Sequence, residues 1–429
     1  MSLRPSSFSM LAVRGALACS LLVAATALAA CGSGDDDGGP GEPLVVQVSG
    51  EPEETAIYEA IAAAYNAQEP DRAVEIVAVA RKDDHLALLQ TSFAAGQAPE
   101  VYLINYREYA SFVERGAVAP VGDLLAERGV DLADYYPAPV EAFTRDGELQ
   151  CMPQNASSLV VYVNTALFAQ RGVELPFAGW TFEEFRAAAQ RLTFDHVDGV
   201  YVEPSLIRLA PFAWSLGGEI VDDPTKPTGL TLNDPTTRSA LEALIDLQRV
   251  DRVMPTEEEL VSQDAESRFV TGKLAMILSS RKSTPYFREN PDLQFDVLPM
   301  PRMGEPVSIL HSDAYCLSSA DDDAADFIAY ATGSEGQRIA ALGGRTVPSL
   351  RAVAESGAFL NPTRAPAHSE VFIDALEGMR AVPVVENWPQ IEDLAEEYLT
   401  RLWYDTDAVE PGDVDAVLSE LDARTRELF

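Results

Sequence analysis

Polar and aromatic residues placed just past short apolar runs carry the chemistry this chain could do. Ser49 and Glu51 follow Leu44-Val45-Val46-Gln47-Val48, and Asn105, Tyr106 and Arg107 close and follow the run that begins at Val101. In open α/β sheets ligands lie outside the carboxyl ends of the strands, so both groups would project toward one crevice. Hydroxyl, carboxylate, amide and guanidinium groups gathered there could bond the hydroxyls of a solute. Ser49 and Glu51 also stand beside the free N–H groups of the helix that Pro52 opens, and simple helix capping is the competing reading. Trp214, in Trp214-Ser215-Leu216-Gly217-Gly218-Glu219, and Trp388, between Asn387 and Pro389, stand in non-helical-looking surroundings rich in Gly and Pro. A tryptophan on such a loop offers a flat apolar face to a sugar ring, with core packing as the alternative for each.

Catalytic and metal chemistry find less support. The chain lacks GxSxG, HExxH and P-loop patterns, and His85, His196, His311 and His368 are far apart in sequence. No metal, no cofactor and no enzymatic activity are expected. With 68 acidic residues, a glycosidase-like carboxylate pair carries no information from abundance alone. The formal charge of −37 argues against nucleic acid and anionic lipid as partners, since both need a basic face. Lysine is scarce, at Lys82, Lys226, Lys273 and Lys282 only.

Strands and helices alternate to position these residues. Leu44 to Val48 reads as a buried strand, and Pro52 opens a helix with Ile57, Ile61 and Tyr65 inward. Val74 to Ala80 is a second strand, followed by a helix capped by Asp83 and Asp84 and ended by Gly96. Val101 to Asn105 is a third, with a helix from about Arg107 to Gly116. A second series starts after Pro153: a strand over Ser158 to Asn164, a capping box at Thr181-Phe182-Glu183-Glu184, and a helix begun by Asn233-Asp234-Pro235. Leu274 to Ser279 and Phe295 to Leu298 read as strands, and the C-terminal third as mostly helical. Both halves are α/β, and about 400 residues are a natural size for two lobes.

The N-terminal segment has its own signature. Arg4 and Arg14 precede an apolar run from Leu17, which closes at Leu28-Ala29-Ala30-Cys31 and opens onto Gly32-Ser33-Gly34-Asp35-Asp36-Asp37. This resembles a bacterial lipobox. The resemblance implies that residues 1–30 are a removed signal peptide and that Cys31 carries lipid such as palmitate, followed by a disordered tether over 31–43. The protein would then be held at the extracytoplasmic face of the cell membrane by its lipid anchor alone. Cys19 leaves with the signal, so only Cys151 and Cys316 remain in the folded part. Neither sits in a CxxC or has a histidine at metal-ligand spacing; two separately buried thiols are the favoured reading, with a disulfide as the alternative.

The run of segments as a whole resembles the extracellular solute-binding proteins of ABC importers, in the large carbohydrate-binding family that includes maltose-binding protein. Its carriers are Pro99-Glu100-Val101-Tyr102, Met152-Pro153 followed by Val161-Tyr162-Val163-Asn164-Thr165, and Trp180-Thr181-Phe182-Glu183-Glu184-Phe185. They continue with Gly217-Gly218-Glu219, Asn233-Asp234-Pro235, Phe269-Val270-Thr271-Gly272-Lys273-Leu274-Ala275-Met276 and Glu335-Gly336-Gln337. The resemblance implies a two-lobed periplasmic-binding-protein-like α/β fold. Each lobe is an open sheet flanked by helices, and crossing hinge strands join the lobes. Residues 44–152 and 310–357 would form the first lobe, and 153–309 and 358–429 the second. Cys151 and Cys316 fall near the implied hinge strands.

Carried over by position, the interlobe cleft would receive Asn105, Tyr106, Arg107 and Asn155, with Trp214, Glu219 and Arg281 from the second lobe. Asp313 and Tyr315 would enter on a returning strand and Trp388 from the C-terminal helical region, with Arg345 as a further candidate. The implied function is that of a monomeric binding lipoprotein that captures a mono- or oligosaccharide and delivers it to the permease subunits of the transporter. An anionic solute, such as a sugar acid or polyol phosphate held by Arg107, Arg281 and Arg345, is the alternative, and a secreted glycoside hydrolase is a third reading. Where the family's maltose binder has an Asp-Arg pair after the counterpart of Pro99, this chain has Tyr106-Arg107-Glu108 shifted by one position. The solute need not be maltose.

Overall fold

The computed structural model describes residues 42–68, 70–405 and 411–429. The signal segment 1–30, Cys19, the lipid site Cys31 and nearly all of the 31–43 tether lie outside the described residues. No helix among the described residues is long and apolar enough to cross a membrane.

Two lobes organise the chain. In the first, Leu44–Ser49 pairs in parallel with Val74–Val79 on one side and with Val101–Asn105 on the other. Asp313–Leu317 returns antiparallel to Val101–Asn105, and Cys151–Pro153 closes the five-stranded sheet at its far edge. Leu44, Val46, Val48, Val101 and Tyr102 are fully buried, which is why these strands read as continuous apolar runs: helices cover both faces of a sheet built this way. Pro52–Asn66 begins on its proline, and Lys82–Ala95 ends at Gly96, whose φ of 67° is the left-handed turn glycine tolerates without a Cβ clash. Asp83 and Asp84 do not cap that helix. Arg81 holds the cap position, and the two acids sit within the first turn, where they oppose the positive end of the helix dipole.

The second lobe's sheet is built in two three-stranded pieces. Val160–Asn164 lies between Phe295–Leu298 and Met276–Ser279, antiparallel to both. Ser308–His311 lies between Ser157–Ser158 and Met379–Arg380. The expected capping box forms as written: Glu184 N donates to Thr181 Oγ1 at 3.2 Å and Thr181 N to Glu184 Oε2 at 2.8 Å, opening Phe182–Leu192. Asp234 caps Pro235–Arg249. The C-terminal Trp388–Tyr404 packs against Pro411–Thr425, Pro235–Arg249 and the first lobe's Tyr106–Glu114.

The chain crosses between the lobes at 153–157, again at 311–313, and a third time between Ser334–Gly343 and Met379–Arg380, the first two lying side by side. Ser312 ties these two together, its hydroxyl donating to Asn155 O at 2.7 Å while its carbonyl accepts from Tyr106 N at 3.1 Å. A disulfide joins Cys151 to Cys316, with their Cα atoms 4.4 Å apart. This replaces the favoured expectation of two separate thiols. The physical cause is register: the returning strand pairs antiparallel with Cys151–Pro153 so that Cys316 falls directly opposite Cys151, both fully buried.

Candidate ligand-binding cleft

A cleft of about 380 Å³ opens where the crossings meet, near the small end of the usual size for small-molecule sites. Its walls come from both lobes. Asn105, at the end of the third strand, caps Tyr106–Glu114: its Oδ1 accepts from Arg107 N at 3.3 Å and from Arg107 Nε at 3.1 Å. The same amide donates from Nδ2 to Asp313 Oδ1 at 3.0 Å. From the other crossing, Asn155 Nδ2 donates to Asp313 Oδ2 at 3.1 Å, and its Oδ1 accepts from Asp313 N at 3.0 Å. The Asp313 carboxylate is thus positioned by two amides, one from the first lobe and one from the 153–157 crossing, with no cation bonded to it among the described residues.

Two ion pairs frame this network. Arg107 Nη1 donates to Glu392 Oε2 at 2.6 Å, and Glu392 Oε1 accepts from Trp388 Nε1 at 2.8 Å. Arg345 Nη2 lies 2.6 Å from Glu54 Oε2, just past Gly344, whose φ of 82° ends the preceding helix. Burial raises the Glu54 pKa above its ordinary value, and the Arg345 charge only partly offsets this. Glu396, one turn beyond Glu392, is also raised, by desolvation and then by its acidic neighbours Glu203, Asp393 and Glu392.

On the second lobe's side, Ser205, Leu206, Ile207 and Arg208, the first turn of Leu206–Ser215, line the cleft with Ser280, Lys282 and His311. Lys282 is exposed, yet desolvation, and then the Arg208 charge, holds its pKa below the ordinary lysine value. His311 is held well below 6.5 by burial, then by Arg208, Arg107 and Lys282, so its imidazole is neutral at pH 7.

Of the thirteen residues expected at the cleft, Asn105, Arg107, Asn155, Asp313 and Arg345 line it. The others are placed elsewhere. Ser49 is half-buried at its strand end and Glu51 is an exposed cap residue; one turn on, Glu54 reaches the cleft instead. Tyr106 is fully buried, its hydroxyl donating to Leu310 O and accepting from Val382 N, and Tyr315 packs edge-on against Tyr58 in the first lobe's core. Arg281 is enclosed, donating to Gly344 O and Ser369 Oγ and stacked over Phe359 and Phe372; burial brings its pKa down to about 9.

The tryptophans fail as sugar platforms for a common reason. Both lie in helices rather than loops, with their rings on the buried side. Trp214 is covered by Arg380, which pairs with Glu219 away from the cleft, and Trp388 serves the cleft only by orienting Glu392. Among the described residues, no aromatic ring other than the His311 imidazole lines the cleft.

Sequence reasoning missed Glu54, Lys82, Glu203, Arg208, Lys282, His311, Glu392 and Glu396. Two signals could have found some of them. Lysine is scarce in this chain, and two of its four lysines stand at the cleft. Pro389 also marks a helix start, after which Glu392, Asp393 and Glu396 recur at helical spacing.

Comparisons with known proteins agree with this architecture. The family model of bacterial extracellular solute-binding proteins matches residues 49–338. The maltotriose-binding protein of Pyrococcus abyssi is 24% identical over 205 residues, 47% of this chain and 41% of the relative, so the match spans about two fifths of that protein's length. Among solved structures, an ABC substrate-binding protein from Listeria monocytogenes in complex with cycloalternan superposes with a TM-score of 0.80 at 22% identity, over 90% of this chain and 99% of the other. The GacH receptor of Streptomyces glaucescens, determined unliganded and with acarbose, gives 0.75 at 18% identity over the same shares. UgpB from Mycobacterium tuberculosis in complex with glycerophosphocholine gives 0.76 at 18%, again over 90% and 99%. At these identities the likeness is one of fold.

Proposed function

We propose, on the premise that this chain belongs to the bacterial extracellular solute-binding proteins, that it is the binding subunit of an ABC importer, capturing a mono- or oligosaccharide between its lobes and delivering it to the membrane permease. The observation that carries this reading is the Asp313 network. A carboxylate held by Asn105 and Asn155, beside the Arg107–Glu392 pair, presents acceptors and donors in the alternating pattern that sugar hydroxyls need. The named solutes of the similar proteins, maltotriose, cycloalternan and acarbose, support a carbohydrate.

Binding acts through closure. A solute touching both walls favours the closed arrangement by its differential affinity for closed over open, and the crossings at 153–157 and 311–313 absorb the motion. The permease reads the closed shape, and no covalent step is required of the protein. A lipid on Cys31 would keep it at the outer face of the membrane near its transporter. The anionic alternative draws less support from Arg107 and Arg345, each paired with a carboxylate, and from Arg281, which lies outside the cleft lining.

The test is thermal denaturation of the purified chain against a panel of neutral and charged sugars. A ligand at a hundred times its Kd stabilises the native state by about 2.7 kcal/mol. A saturable rise with one sugar class, lost in Asp313→Ala, is expected. A flat response to every sugar overturns the carbohydrate reading.

A further inference from the structure

The acids and cations of the cleft are not equally satisfied. Asp313, Glu54 and Glu392 are bonded by amides, Arg345, and Arg107 with Trp388. Asp393 and Glu396 are exposed. Arg208 is different: its side chain is only 9% exposed, it meets Glu203 through Nη2 at 3.5 Å, and Nε and Nη1 are shut away from water with no partner. Among the described residues, Lys282 makes no ion pair within 4.0 Å and no hydrogen bond through its ammonium. His311 Nε2 is buried without a partner. These three groups line the same cleft, each within electrostatic reach of the other two.

Backbone donors join them in the same cleft. Leu206–Ser215 is a ten-residue helix whose cap residue Ser205 makes no side-chain cap; its hydroxyl turns to Glu203 instead, at 3.4 Å. The N–H groups of Leu206 and Ile207 therefore meet no protein acceptor among the described residues, at the positive end of the helix dipole. Among the described residues, the enclosed atoms left unmet on Arg208 are donors, and the unmet imidazole nitrogen becomes a donor in the matching tautomer, while Glu203 and Glu266 are the acids nearest Lys282.

We propose that this part of the cleft is an oxyanion subsite, formed by the first turn of Leu206–Ser215 with Arg208, Lys282 and His311, so that the carbohydrate captured carries a phosphoryl or carboxylate group. The inference rests on the carbohydrate reading for the rest of the solute, while the subsite itself stands on the unmet donors. The subsite requires the Arg208 guanidinium to turn so that an N–H now enclosed reaches the bound oxygen, and the helix terminus would supply two more donors. The Asp313 network is left to read the hydroxyls.

Isothermal titration calorimetry at constant ionic strength tests this, with inorganic phosphate, glucose 1-phosphate, glucuronate and glucose as probes. Inorganic phosphate should bind saturably, and Lys282→Gln and Arg208→Gln should each weaken it at least tenfold. Arg338→Gln, exposed and outside the cleft lining, should not. Glucose 1-phosphate or glucuronate should bind at least tenfold more tightly than glucose, and which of the two prevails identifies the oxyanion. Should Arg208→Gln fail to fold, Lys282→Gln decides, since its side chain is exposed. Absence of phosphate binding, or binding indifferent to Lys282→Gln, overturns the subsite; tight binding of glucose in that case leaves the carbohydrate reading intact. Phosphate binding that depends on Lys282, with no sugar bound of either kind, keeps the subsite and overturns the carbohydrate reading.

Discussion

Replacing Cys151 and Cys316 together by alanine should lower the stability of the chain without weakening solute binding. The disulfide closes a loop across a sequence separation of 165 residues. For a loop of that length the chain-entropy relation gives about 5 kcal/mol at 25 °C, the freedom the unfolded chain regains when the bond is lost. Spread over roughly 380 ordered residues at about 2.1 cal/mol/K each, this lowers Tm by about 6 °C. Differential scanning calorimetry of wild type, both single variants and the double variant measures it. Each single variant already breaks the bond, so each should account for nearly the whole loss and the two should be strongly non-additive. Solute affinity should stay within about twofold, because neither sulfur lines the cleft and Asp313–Leu317 keeps its ladder to both neighbours. A double variant melting within about 1 °C of wild type refutes the loop-closure reasoning.

Arg107→Ala strands the largely buried Glu392 carboxylate and should cost about 3 kcal/mol by urea denaturation; adding Glu392→Gln should restore part of it, and strict additivity would refute the pairing. The His311 ring signals in NMR should stay flat from pH 8 down through 6.5, because its folded pKa lies well below that value; a midpoint near 6.5 contradicts its enclosure among cations. Its contribution to stability is therefore present above pH 6.5 and lost as the pH falls below it. Glu54 runs the other way. Its folded pKa is raised above 4.5 by burial, so its contribution is full below pH 4.5 and lost as the pH rises through the folded value; Glu54→Gln should remove that decline from the Tm profile, and an unchanged profile refutes the shift.

Much of the fold was legible because its signals are local. The Thr181 box, the Asp234-Pro235 start and the Gly96 stop each act within a turn of backbone, and each forms where its residues stand. The apolar runs at Leu44 and Val101 announced buried strands, since a sheet covered on both faces leaves no polar side to alternate with. Short-range reading went wrong where local composition misled it. Gly and Pro around Trp214 and Trp388 suggested loops, yet Pro211 lies inside one helix and Pro389 begins the other.

The sequence by itself determined the succession of α/β elements, the strand-end placement of Asn105 and Arg107, and the family resemblance that brought Asn155, Asp313 and Arg345 to the cleft. Only the tertiary structure decided which charges meet. Asn105 bonds Asp313 across 208 residues, Arg107 pairs with Glu392 across 285, and Arg208, held by Glu203 through Nη2 alone, keeps Nε and Nη1 without a partner among the described residues. Those outcomes depend on how two lobes pack around a hinge. Backbone preferences act over a few residues, whereas burial and charge pairing are settled by neighbours that the chain brings together only when it is folded.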